Sequence, residues 1–441
     1  MMRHMMLTGG AMLTLLGAAA PAQVARPAQP APKAMAAKLP AAQALFDSYV
    51  RSGKMPGIVA AIGRQGQPPI FVSAGRTALA PNAPAVGPDT LWRVYSMTKP
   101  VTAMAAMILI EEGKLGLDQP LSDIYPAYRQ MRVLTNADTS LESRPATRPI
   151  TIRNLLTHTA GLGYSITTKG PLLKEYERLG IVPFTANAQV EAAVRRVRPT
   201  SLQQFAERVA TLPLIAEPGT KWSYSIGLDV MAAVVEKVSG MPFERFVQTR
   251  LFDPLKMNSS YWRVPASAAN RLVTNYTFLG DQLVPVDPGA TSVFLQAPSF
   301  PYGGAGLVMS ARDYDRFLQM LQNGGTVDGV RVMKPETVKL AMSDLLPAGV
   351  RFAGVSGSTG GSGGGVPTGY GAGGSVTLAD TPGGPGKGTY GWGGAAGTVA
   401  YVDPTRGVRG TIMVNYFPAD RWPLKRDLAA ALYQDMGAAR R

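Results

Sequence analysis

The sequence predicts an α/β (α+β) fold: one sheet built from both ends of the chain, with a mostly helical lobe inserted between them. Three observations predict it. Strand-like runs followed by a helix lie near the start. Helical segments broken by Pro and Gly fill residues 115–300. Two more strand-like runs and a helix lie at the end, an order that suits a sheet closed by both termini.

Taken along the chain, Arg3 precedes an apolar stretch from Leu7 to Ala20, and Ala20-Pro21-Ala22 fits a small-x-small cleavage site. Residues 1–22 read as an export signal, so a periplasmic or secreted protein is expected. The stretch is short and carries Gly9, Gly10 and Gly17, which favours a cleaved signal over a retained anchor. Residues 23–35 are rich in Pro and Ala, and a flexible leader is expected over 23–40. The folded domain is placed at 41–438, with a sheet lobe at about 41–114 and 301–438 and the helical lobe at about 115–300.

Apolar spacing predicts a helix over Ala36–Val50. Ile58–Ile62 and Ile70–Ser73 read as a hairpin. Val101, Met104, Ala105 and Leu109 recur at helical spacing up to Gly113, and Pro100 falls in the first turn, where its missing N–H costs little. Helical patterns follow at Ile152–Thr157, Leu202–Ala210, Leu228–Ser239 and Ala311–Asn323. Gly354–Gly374 is a low-complexity stretch and reads as a mobile loop. Thr398–Val402 and Gly410–Tyr416 read as strands, and a last helix begins near Leu424.

Composition narrows the chemistry. Of 441 residues, 17% are charged and 46% apolar, which suits a globular chain. With no cysteine, disulfides, thiolate metal sites and cysteine nucleophiles are excluded. The two histidines are His4, inside the signal, and His158, so a histidine metal site is not expected. No acidic cluster has EF-hand spacing, and no cofactor is expected. The net charge of +15 comes from scattered Lys and Arg, of which Arg195-Arg196-Val197-Arg198 is the densest group. No nucleic-acid motif accompanies them. A basic exported protein that tolerates anionic envelope surfaces is the expectation.

Scarce histidine gives weight to Ser96-Met97-Thr98-Lys99. On a helix, i and i+3 share a face about 5–6 Å apart at Cβ. A neutral amine there can take the serine proton, and burial or a nearby cation promotes the neutral form. A helix start adds N–H groups and positive potential near a developing oxyanion. Alone, the pattern could equally be a helix cap. Tyr224 follows the Pro218-Gly219 turn and precedes a helix; beside Lys99 its phenolate would be a possible base. Tyr164-Ser165-Ile166 repeats Tyr224-Ser225-Ile226, so Tyr164 is a rival. Gly391–Thr398 leads into a strand, and its glycines would let the backbone approach a substrate. Ser362, in Gly360-Gly361-Ser362-Gly363-Gly364, formally matches Gly-x-Ser-x-Gly, but poly-Gly surrounds it and no histidine follows. His158 is expected to be structural.

Together these segments resemble the serine β-lactamase and penicillin-binding family, in its class C-like branch with the family VIII carboxylesterases. The matching stretches are Leu91–Pro100, Leu155–Leu162, Pro218–Gly240, Gly303–Met320 and Gly391–Thr398. The resemblance implies a β-lactamase-like fold, a central antiparallel sheet flanked by helices. It implies Ser96 as acyl-forming nucleophile, Lys99 as activator, Tyr224 as base, and an oxyanion hole from the N–H groups of Ser96 and Ala395. Trp392, Gly393, Gly394 and Tyr164 would line the substrate site. Two departures matter: Ile226 stands where class C enzymes have asparagine, and Trp392-Gly393-Gly394 stands for Lys-Thr-Gly. (Lys387-Gly388-Thr389 is nearby but in the wrong order.) Losing the lysine suits a neutral ester better than an anionic lactam. The expected activity is a carboxylesterase on a small-molecule ester or amide. The alternatives are a β-lactamase, a DD- or D-amino-acid peptidase, or a non-catalytic envelope module.

Overall fold

The computed structural model describes residues 39–355, 366–382 and 384–438, the last three by backbone alone. The signal, nearly all of the leader and the Ser362 motif lie outside the described residues.

Both chain ends meet on one sheet. Helix α1 (Pro40–Arg51) leads into strands β1 (Gly57–Arg64) and β2 (Ile70–Gly75). Helix α2 (Thr98–Glu111), helix α3 (Gly227–Ser239) and helix α4 (Ala311–Gln322) follow. Strands β3 (Thr368–Tyr370), β4 (Ser375–Thr377), β5 (Tyr390–Gly393), β6 (Val399–Asp403) and β7 (Val408–Met413) then precede helix α5 (Leu424–Ala438). The strands form an antiparallel sheet in the order β3-β4-β5-β6-β7-β1-β2. The junction of the chain ends is the β1–β7 pair, with Ala60 opposite Ile412.

Alternation along β1 explains the layers. Ile58 and Ala60 join a core with Ala42, Phe46, Leu424 and Leu428 from α1 and α5. Val59 points the other way, into the core shared with α2, α3 and α4. Successive side chains of a strand face opposite sides, so one strand serves both layers. Leu39, the N-cap of α1, gives no side-chain cap. Asp435 of α5 supplies it, accepting from the Ala41 and Ala42 N–H groups at 2.8 and 3.1 Å. On the other face a buried fork joins β7 to α4: Arg409 Nε and Nη2 donate to the Asp315 carboxylate at 2.8 and 3.0 Å. Gly63 leaves room for that guanidinium, since a Cβ there would lie 2.3 Å from Arg409 Cζ.

The expected hairpin, the helix after Ser96 and the terminal helix are all present. The inserted segment is less purely helical than its pattern suggests. It contains the hairpin Asn275–Leu279 with Gln282–Asp287, and a short pair, Arg132–Leu134 with Ser143–Pro145. Arg132–Leu134 and Ser143–Pro145 are too short for a period-2 pattern to stand out, and the 275–287 hairpin lacks a clean alternation of buried and exposed positions. The two expected lobes also share one apolar core, running from Val402 and Met413 of the sheet through α2 and α3 to Phe205 and Val209. Among the described residues no helix is long and apolar enough to cross a membrane.

Candidate active site

Ser96 sits in a single 3-10 turn, Tyr95–Met97, that runs directly into α2. Its approach is built from buried polar groups. Arg93 Nε donates to Asp287 at 2.8 Å, and its Nη atoms reach Asp287, the Val273 carbonyl (2.7 Å) and Ser292 Oγ (2.9 Å). Asn415 grips the Arg93 backbone from both sides, accepting from its N–H and donating to its carbonyl, each at 3.2 Å. Tyr95 then takes a φ of 41°, in the left-handed region that costs a non-glycine residue roughly 1 kcal/mol or more. Asn275 Nδ2 donates to its hydroxyl at 3.2 Å. This frame over-determines the turn and fixes the direction of Ser96.

Three of the expected residues meet at one oxygen. Lys99 Nζ lies 3.3 Å from Ser96 Oγ and donates to the Gly304 carbonyl at 2.9 Å. The Tyr224 hydroxyl lies 2.7 Å from Ser96 Oγ. Lys99 and Tyr224 are buried, whereas Ser96 is half-buried and reachable. The Lys99 ammonium position is 4.6 Å from the centre of the Tyr224 ring and 5.4 Å from that of Tyr164. The rivalry between the two tyrosines is thus resolved by geometry: the hydroxyl at Ser96 is that of Tyr224. Tyr164 lines the same group, its ring 5.5 Å from that of Tyr224, and burial pushes its hydroxyl well above the ordinary phenol range.

Gly391–Thr398 comes up beside this turn. A Cβ on Gly394 would lie 2.4 Å from the Val94 carbonyl and 2.2 Å from Thr398 Oγ1, so only glycine permits the approach. The Gly394 N–H is used within the turn, donating to Thr398 O at 2.8 Å. Trp392 is buried, its ring 5.7 Å from that of Tyr224. Lys387 is exposed in the turn before β5, its N–H bonded to Asp380 Oδ1 at 2.8 Å; it lies at the end of the strand away from Gly394. Ile226 is fully buried as the N-cap of α3.

His158 is structural in its contacts. Its Nδ1 accepts from the Ser225 N–H at 3.2 Å and lies 2.9 Å from Ser225 Oγ, and its ring meets that of Tyr224 edge-on at 4.8 Å. Burial, helped by the Lys99 charge, holds its pKa well below 6.5. It steadies the Tyr224 segment and does not reach Ser96. Among the described residues no group of three or more histidine, aspartate or glutamate side chains is placed to hold a metal ion.

A serine oxygen touched by an amine and a phenol can form and discharge an acyl ester. The family model for beta-lactamases matches residues 42–434. The chain belongs to the beta-lactamase family. Protein Rv1367c of Mycobacterium tuberculosis is 35% identical over 353 residues, covering 78% of this chain and 81% of its own. Esterase EstB of Burkholderia gladioli is 30% identical, covering 84% and 89%. Among solved structures, EstCE1, a hydrolase with promiscuous acyltransferase activity, superposes with a TM-score of 0.70 at 25% identity, covering 89% of this chain and 98% of its own. The β-lactamase-like fold expected from the motifs is therefore the fold of this chain, and the protein is a serine hydrolase.

Sequence reading missed two features of the site. Nothing marked the strained Tyr95, because any residue can precede a nucleophile in sequence. Asp229 and the Gly303-Gly304 loop were also unassigned. An acidic residue in an otherwise apolar stretch, Gly227–Val235, was the available signal.

Proposed function

We propose that this protein is an exported carboxylesterase that hydrolyses small or short-chain neutral esters through an acyl-enzyme on Ser96. The observation that carries the reading is the convergence of Lys99 Nζ and the Tyr224 hydroxyl on Ser96 Oγ, at 3.3 and 2.7 Å. Ser96 Oγ attacks the ester carbonyl and gives its proton to the Lys99–Tyr224 pair. The oxyanion forms against the N–H groups of Ser96 and Ala395. The alkoxide leaves with the proton, and water then attacks the acyl-enzyme by the same route in reverse.

The substrate class follows from what surrounds the serine. Trp392 occupies the position where a lactamase or DD-peptidase of this family carries a lysine, and Lys387 is remote. Without that cation a substrate carboxylate loses the partner the family's lysine would give it, whereas a neutral ester needs none. Aromatic rings of Tyr164, Tyr224 and Trp392 suit an apolar acyl group. The similarity to esterase EstB supports the same reading. The similarity to EstCE1, a hydrolase with promiscuous acyltransferase activity, supports a second outcome of the same acyl-enzyme: capture by an alcohol in place of water.

The test compares p-nitrophenyl acetate, nitrocefin and a D-Ala-D-Ala peptide, using wild type and Ser96→Ala. Ester turnover is expected in wild type only. Turnover persisting in Ser96→Ala sinks the nucleophile assignment; nitrocefin opened faster than the ester overturns the substrate class. Export is checked by N-terminal sequencing of protein from the periplasm or medium, with cleavage expected after Ala22.

A further inference from the structure

The Lys99 amine makes a second hydrogen bond that the reaction as described does not explain. It donates to the Gly304 carbonyl at 2.9 Å. Gly304 is itself tied down on the opposite side: its N–H donates to Asp229 Oδ1 at 2.8 Å. The preceding carbonyl, that of Gly303, accepts from Thr102 Oγ1 of α2 at 2.6 Å. The Gly303-Gly304 loop is therefore stitched to α2 on one side and to α3 on the other. A Cβ on Gly304 would lie 2.5 Å from Asp229 Oδ2, and one on Gly303 would lie 2.6 Å from Ala232 Cβ. Glycine at both positions lets the loop enter between the helices.

Asp229 is fully buried, in the first turn of α3. Among the described residues its second oxygen, Oδ2, has no hydrogen-bond partner. A buried carboxylate with one oxygen unpaired is a costly way to hold a single N–H group; a neutral acceptor would do so at less cost. What distinguishes Asp229 is its charge. The ionisable groups that face it or its neighbours come from three elements. Lys99 faces it from α2, and Tyr164 from the segment after His158. Tyr224, from the turn before α3, lies against Tyr164, and His158 against Tyr224.

We propose that Asp229 is a positioning residue for the Lys99 amine. Through the Gly304 backbone it holds the acceptor that aims Nζ at Ser96, and its carboxylate sets the charge carried by the Ser96–Lys99–Tyr224 group. This rests on the acyl-enzyme reading above. Burial pushes the Asp229 carboxyl up to about 7, against the pull of Lys99 and of the Gly304 N–H, so its charge changes within the working pH range. When ionised, it favours the protonated amine and opposes a phenolate on Tyr224. Both effects raise the pH at which the base is free. The sign is the same whichever of the two holds the proton.

The experiment measures kcat and KM for p-nitrophenyl acetate from pH 5 to 8.5, corrected for uncatalysed hydrolysis, in wild type, Asp229→Asn, Asp229→Ala and Ser96→Ala. Asn keeps an oxygen for the Gly304 N–H and removes the charge. Above about pH 7, where wild-type Asp229 is charged, the kcat/KM of the Asn variant is expected to exceed wild type, and below that pH the two profiles should converge, with KM within threefold of wild type. Ala removes the anchor as well, and kcat at its own optimum is expected to fall at least tenfold below that of Asn with KM unchanged. A profile for Asp229→Asn that superimposes on wild type, with Ser96→Ala inactive, overturns this proposal and leaves the acyl-enzyme reading standing. Equal kcat for Asn and Ala at every pH overturns the anchoring role. If Asp229→Ala does not fold, the Asn profile decides alone. Turnover surviving in Ser96→Ala overturns the parent reading and this one with it.

Discussion

Replacing Tyr224 with phenylalanine removes one oxygen and nothing else from the site. That oxygen lies 2.7 Å from Ser96 Oγ. The ring keeps its neighbours: His158 at 4.8 Å, Tyr164 at 5.5 Å and Trp392 at 5.7 Å. The stability cost is that of one hydrogen bond, about 0.5–1.5 kcal/mol. For a folded unit of about 400 residues this shifts Tm by only a few degrees. The catalytic cost is larger. A positioned acid–base group contributes about 10²–10⁴ in rate, which is about 2.7–5.5 kcal/mol of barrier at 1.36 kcal/mol per decade. The two effects therefore separate in one variant: kcat for p-nitrophenyl acetate falls at least a hundredfold while the melting curve barely moves. KM is expected to change little, because the hydroxyl faces the serine and not the acyl pocket. A Tyr224→Phe enzyme whose kcat stayed within threefold of wild type would refute the argument. The proton would then pass through Lys99 alone.

Other predictions follow from the frame around the serine. Gly394→Ala places a Cβ 2.4 Å from the Val94 carbonyl, so the Ala395 N–H must shift; a kcat loss of at least tenfold is expected, and unchanged kinetics would show that this N–H is not used. Arg93→Lys cannot reproduce the fork onto Asp287, Val273 and Ser292. Urea unfolding should show a loss of about 3 kcal/mol, and a loss under 1 kcal/mol would mean the network is not holding the turn. His158 is buried neutral, with its pKa held well below 6.5 mainly by burial. The unfolded chain therefore gains the proton first as pH falls. Stability from this group is complete above about 6.5 and is lost as pH drops below it, by roughly 1.4 kcal/mol per unit. The stability difference between wild type and His158→Gln should shrink accordingly between pH 7.5 and 5; a constant difference would contradict the buried neutral ring.

Much of this protein was legible in residue order. Period-2 and helical spacing located the hairpin at 57–75, the helix after Ser96 and the closing strands and helix, because each has one apolar face that must be buried. The Ser96-x-x-Lys99 spacing placed two groups on one helical face by local geometry alone. Absence of cysteine and scarcity of histidine removed most other chemistries. The resemblance to the family also implied that a cation is missing where Trp392 stands.

Only the tertiary structure decided the rest, because the deciding contacts join residues far apart in the chain. Tyr224 and Tyr164 carry the same tripeptide, and only the packing of α3 against α2 brings the Tyr224 hydroxyl to Ser96. The strands at 132–145 are too short to rise above a helical background, and those at 275–287 lack a clean alternation. The left-handed Tyr95 is held by Arg93, by Asn415, 322 positions from Arg93, and by Asn275, 180 positions from Tyr95. Asp229 reads in sequence as one acid in an apolar helix. Its link to Lys99 through the Gly304 backbone exists only because a glycine pair enters between two helices. Local patterns determine which faces are buried; which polar groups then meet in the dry interior is a property of the assembled fold.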